Sequence, residues 1–66
     1  MATDLERAKY RVRHCLLRRA AGEHTVTTTQ ILRAFASEWG LTLVQQRQLE
    51  YAARKLEREL SERAAQ

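Results

Sequence analysis

Apolar residues recur at three- and four-residue intervals in three separate runs of this chain, with polar and charged residues between them. In the first run Leu5, Ala8, Val12, Cys15, Leu16 and Ala20 share one side of a helix. The segment Thr3-Asp4-Leu5-Glu6 has the spacing of a capping box, and Gly22 suits a left-handed stop. The pattern predicts a helix over residues 4–21, with Arg7, Arg11, His14 and Arg18 on its polar side. In the second run, Thr27-Thr28-Thr29-Gln30 is another capping box, and Val26 before it is placed to staple against Ile31. Ile31, Leu32, Phe35, Ala36 and Trp39 then form a stripe over residues 28–39, closed by Gly40 with Leu41 set to fold back. A strand over the threonine run would have no second strand-like segment to pair with.

The third run opens with a third box, Thr42-Leu43-Val44-Gln45, and predicts a helix over 43–64, roughly 33 Å long at 1.5 Å per residue. Leu49, Ala52, Ala53, Leu56, Leu60 and Ala64 mark its apolar side. Glu50–Arg54, Lys55–Glu59 and Glu59–Arg63 are opposite charges four residues apart. The expected fold is an all-α, three-helix single domain over 1–66 with a long C-terminal helix. That last helix outruns the middle one, so its far end must lie against the first helix or against another chain. Leu49, Ala53, Leu56 and Leu60 could form a short seam between two copies; each residue taken alone fits an intramolecular core better, but a domain this short has little core to spare, so a homodimer is expected.

Composition agrees with helices, having no proline and two glycines in 66 residues. The net charge of +4 is uneven: residues 3–21 carry six cations and two anions, while the rest is nearly balanced. Such a basic end suits DNA, an acidic protein or an anionic surface. No apolar run approaches membrane-spanning length and no signal segment is present at the start, which, with a lone Cys15, predicts a cytoplasmic protein without membrane contact. His14, Cys15 and His24 lack paired metal-ligand spacing, and no phosphate loop or nucleophile–base pair stands out. No catalytic residue, metal or cofactor is expected.

One stretch carries a resemblance. Phe35-Ala36-Ser37-Glu38-Trp39-Gly40-Leu41 resembles the turn region of the bacterial helix-turn-helix found in phage repressors, over about 20 residues from Leu32 to Tyr51. Ala36 stands where that motif has a small residue and Gly40 where it has its turn glycine; Phe35, Trp39, Leu41 and Leu49 stand at its flanking apolar positions. The chain departs from the motif at Gln46, where an apolar residue is expected, and at Leu43 and Val44, where polar ones are usual. The resemblance implies double-stranded DNA as partner, a role in transcriptional regulation, and insertion of residues 45–51 into the major groove. Helical geometry puts Arg47, Tyr51, Arg54 and Arg58 on one facet with Gln48 beside it, and Arg and Gln can read guanine and adenine edges. Gln45, Arg47, Gln48, Tyr51 and Arg54 are the expected DNA contacts, backed on phosphate by Arg7, Arg11 and Arg18. The competing expectation is a helical adaptor or inhibitor. It would dock its basic first helix on an acidic protein and use the off-stripe residues Tyr10, Leu17, Val44 and Tyr51.

Overall fold

A threonine hydroxyl opens every helix of the computed structural model, which describes residues 3–64 as α1 (Asp4–Ala20), α2 (Thr28–Trp39) and α3 (Leu43–Ala64). Thr3 Oγ1 accepts from the Glu6 N–H at 3.2 Å. Thr27 and Gln30 complete the box reciprocally at 3.2 Å each, and Thr42 and Gln45 do the same at 3.0 and 3.2 Å. These bonds satisfy N–H groups that the first turn leaves without helical partners. The stops are equally local. Gly22 (φ 84°) closes α1 with Gly22 N–H on the Arg19 carbonyl and Glu23 N–H on that of Arg18. Gly40 (φ 59°, ψ 40°) closes α2, and both its N–H and that of Leu41 reach the Ala36 carbonyl.

The expected boundaries of the second and third helices coincide with those observed, and α1 ends one residue early, at its cap Ala21. The chain runs up, down and up: Arg7 and Arg11 lie by Trp39 at the end of α2, and Arg54 and Glu57 lie by Thr28 and Thr29 at its start. α1 and α3 therefore run in the same direction, and their packing is the most extensive of the three. Ala8, Val12, Leu16, Ile31, Leu32, Leu41, Leu49 and Ala53 form the core, with Leu5, Cys15, Phe35, Trp39, Leu56 and Leu60 packed around it. The staple residue Val26 stays 42% exposed, while Ile31 is buried. Ala20 and Ala64, both expected on apolar sides, are exposed. Each lies in the last turn of its helix. Arg19 near the end of α1 meets Glu57, so the final turn of α3 runs on past its neighbour.

A polar knot joins all three helices. Arg19 of α1 donates to the Val26 carbonyl at 3.1 Å, to Thr28 Oγ1 at 2.9 Å and to Glu57 Oε2 at 2.9 Å. Thr28, 3% exposed, donates its hydroxyl to the same carboxylate oxygen, and Arg54 approaches the other oxygen at 3.5 Å. Hydrogen bonds from Thr28 and Arg19 hold the Glu57 carboxyl below its ordinary pKa of 4.5, against a smaller opposing effect of desolvation. The four-apart pairs expected along α3 are not closed within 4.0 Å among the described residues; Arg54 turns instead to Glu57 and to Thr29 Oγ1 at 3.2 Å. Extended side chains in water gain little from such pairs, so Arg54 settles where Glu57 of its own helix and Thr29 of α2 are both within reach. The connection between α1 and α2 is tied down by His24, whose Nε2–H donates to the Cys15 carbonyl at 2.9 Å while Nδ1 accepts from the Val26 N–H at 3.2 Å. The Trp39 indole N–H is enclosed without an acceptor among the described residues, a cost that the burial of its large ring offsets.

Because the carboxyl of folded Glu57 ionises more readily than in the unfolded chain, its stabilisation is complete above pH about 4.5 and is lost as pH falls through the lower folded value. Glu57→Gln should cost about 1 kcal/mol at neutral pH, a figure held down by solvent screening of a side chain 37% exposed. Circular-dichroism melts should show that gap between variant and parent closing as pH falls below the ordinary value of 4.5, and a gap unchanged at acid pH would refute the assignment. Gly40→Ala should cost about 1 kcal/mol through the left-handed backbone alone, since a Cβ there meets nothing within 4 Å. Gly40→Asn should cost measurably less in the same melts.

Candidate nucleic-acid interface

The turn between α2 and α3 is three residues long, Gly40 to Thr42. Its left-handed glycine reverses the chain, and Leu41, 6% exposed, drops into the core as the pivot. Gln46, the polar residue standing at an expected apolar position, has a structural task here: its Nε2 donates to the Leu41 carbonyl at 2.9 Å, capping the turn from within. Leu49 and Ala53, at 1% and 3% exposure, supply the apolar contacts of α3 in its place.

Beyond the turn, the outer side of α3 is open to solvent. Val44, Arg47, Gln48, Tyr51, Ala52 and Lys55 form a shallow surface there, joined by Lys9 of α1. Arg47 and Gln48 are exposed, as is Tyr51 (74%), and at the tip of the helix so are Leu43 (76%) and Val44 (66%). These two aliphatic residues take no part in the core. The acidic groups of α3 mostly point elsewhere: Glu57 is held by Arg19, Glu50 lines the α2 side with Arg33, and Glu59 lies between α3 and α1.

Several expected contacts are not brought to this surface. Gln45 is half-buried, and its Oε1 is taken by the Thr42 N–H, because it closes the helix cap. Arg54 leans across to Thr29 and Glu57 on the α2 side. Arg7 and Arg11 lie with Tyr10 and Trp39, on the flank of α1 that faces the end of α2, and Tyr10 stacks on His14 with ring centroids 6.4 Å apart. Arg18 approaches Glu23 at 3.9 Å. The cations that do border Arg47, Gln48 and Tyr51 are Lys9 and Lys55. The sequence pattern places neither at this facet, and sets Lys55 in a pair with Glu59 instead. Lys9 lies one turn from the core position Val12, on the side of α1 that turns toward α3, and its proximity to Lys55 required knowing that α1 and α3 run parallel.

Of the residues expected in a seam between two copies, Leu49 and Ala53 are enclosed by the chain's own helices, while Leu56 and Leu60 pack against that core and stay half-buried. Among the described residues no group of three or more His, Cys, Asp or Glu is arranged to hold a metal ion, and no helix is long and apolar enough to cross a membrane. No family model, no curated protein and no solved structure matches the chain.

Leu49→Ala should lower stability by roughly 2–5 kcal/mol, the range for emptying a filled core position. Chemical denaturation should give the same loss at low and high protein concentration, since the contact lies within one chain. A loss that disappears on concentrating the protein would instead put Leu49 between copies.

Proposed function

We propose that this chain is a small DNA-binding protein, a transcriptional regulator of helix-turn-helix type, in which the first half of α3 lies in the major groove. The observation that carries this reading is the solvent-open facet of Arg47, Gln48 and Tyr51, directly after a three-residue turn with a left-handed glycine. A helix with its side chains is about 10–12 Å across, and the major groove of B-DNA is about 12 Å wide. Arg47 would pair with a guanine edge and Gln48 with an adenine edge. The Tyr51 hydroxyl has the chemistry to donate to a phosphate. Leu43 and Val44, exposed at the leading end, suit contact with thymine methyl groups. Lys9 and Lys55, on the border of the facet nearer α1, replace Arg7, Arg11 and Arg18 as the groups that meet the neighbouring phosphates.

A titration of labelled duplex DNA at two ionic strengths tests the reading. Affinity should fall log-linearly as salt rises, with a slope set by the phosphates neutralised. Arg47→Ala and Gln48→Ala should flatten sequence preference, at about 1–3 kcal/mol of discrimination each. Lys9→Ala and Lys55→Ala should weaken every duplex alike, and Arg11→Ala should change neither. Absence of binding at low salt sinks the proposal; dependence on Arg11 rather than Lys9 would move the interface to the other flank of α1.

A further inference from the structure

A trough runs between α1 and α3, with a volume of about 370 Å³. Its floor is apolar: Val12, Leu16, Leu49 and Ala53 lie buried beneath it, and Leu56 and Leu60 stay half-buried at its surface. Leu17, 41% exposed, stands in its wall, and Ala52 keeps the opposite wall low. Its margin is basic: Lys9 and Arg13 come from α1, Lys55 and Arg63 from α3, against a single carboxylate, Glu59. Among the described residues the ion pairs within 4.0 Å are made by Arg18, Arg19 and Arg54. The four cations of the margin stand outside them, around a hydrophobic floor.

We propose that this trough is a docking site for an acidic amphipathic helix of another protein. Two parallel helices leave a groove into which a third packs at an interaxial distance of about 8–10 Å, completing a four-helix arrangement. An incoming helix with apolar residues at i, i+3, i+4 and i+7 would cover Leu17, Leu56 and Leu60, and carboxylates flanking that stripe would meet Lys9, Arg13, Lys55 and Arg63. The α1 wall, from Lys9 to Leu17, is about 12 Å long, and the α3 wall from Ala52 to Arg63 about 17 Å, so three to four turns suffice. A second copy of this chain fits poorly, because isologous pairing would set the same four cations against one another. Duplex DNA has the charge but no apolar stripe to cover the floor. This inference does not rest on the DNA-binding proposal, although Lys9 and Lys55 border both surfaces.

The test uses the full chain and a fluorescein-labelled synthetic peptide of about 14 residues, leucines at the helical spacing above and glutamates flanking them. Two controls share its length: one with the leucine order scrambled, one with lysine in place of glutamate. The acidic amphipathic peptide should bind with one-to-one stoichiometry, and both controls at least roughly tenfold more weakly. Leu17→Glu and, separately, Lys55→Glu should each weaken binding about tenfold while melting like the parent; Arg7→Glu with Arg11→Glu, on the other flank of α1, should leave affinity within about twofold. Equal binding of the scrambled peptide would reduce the effect to net charge and overturn the proposal, as would a loss in the Arg7/Arg11 variant matching that of Leu17→Glu. Sedimentation in which the parent is a dimer and Leu17→Glu a monomer would assign the trough to a second copy. Duplex binding lost in Leu17→Glu, with no peptide binding in the parent, would assign it to nucleic acid. Either result overturns the acidic-helix assignment without depending on whether Arg47 and Gln48 read bases.

Discussion

The contact on which the arrangement of the three helices turns is the one between Arg19, Thr28 and Glu57. Apolar burial pulls helices together but does not by itself say how far one slides along another, because leucine and alanine stripes pack in several registers. A guanidinium that reaches the carbonyl of Val26, the hydroxyl of Thr28 and the carboxylate of Glu57 at once tolerates little sliding. It pins the end of α1 and the start of α2 to the middle of α3. Leaving any of these groups partly buried without its partner is what makes other registers costly. With that register set, Lys9 comes level with Arg47 and Tyr51, and the trough between α1 and α3 receives its four cations.

The same register explains the division of charge over the surface. Six of the chain's twelve cations lie in α1, yet they serve different neighbours. Arg7 and Arg11 flank Trp39, Arg18 leans toward Glu23, Arg19 holds the helices together, and Lys9 and Arg13 face α3. Net charge attracts polyanions from a distance, whereas what a bound polyanion touches is decided by which side of the helix each cation occupies. The surface proposed for DNA and the trough proposed for an acidic helix adjoin along Lys9 and Lys55. A partner seated in the trough would draw on charges that the phosphates also need.

Much of the local structure follows from neighbours in the sequence. Three threonine caps, two glycine stops and three apolar stripes are short-range features, whose physics is complete within four or five residues. The two later helices accordingly begin and end where their caps and stops place them. The N-terminal half of α3 was legible for the same reason: a periodicity of 3.6 puts Arg47 and Tyr51 on one facet, and Gln48 beside them, whatever packs behind. Spacing alone could not tell a group that reads outward from one already engaged. Gln45 was committed to its own cap and Arg54 to Thr29 and Glu57. Nor could it show that Leu49 and Ala53 are enclosed within the chain while Leu56 and Leu60 are only half covered.

The sequence by itself determined that this is an all-α chain of three helices, where they start and stop, and which side of each is apolar. Those properties depend on backbone hydrogen bonds and side-chain periodicity over a turn or two. Only the tertiary structure decided that α1 and α3 lie side by side and parallel, that Thr28 is a buried joint between helices, and that Lys9 stands beside Arg47 and Lys55. The bonds of Thr28 and Arg19 to Glu57 span 29 and 38 positions of the chain. Hydrophobic attraction is non-directional, so the choice among ways of stacking three apolar stripes rests on close packing and on a few directed polar bonds. Their partners are far apart in the chain, and no local pattern announces them.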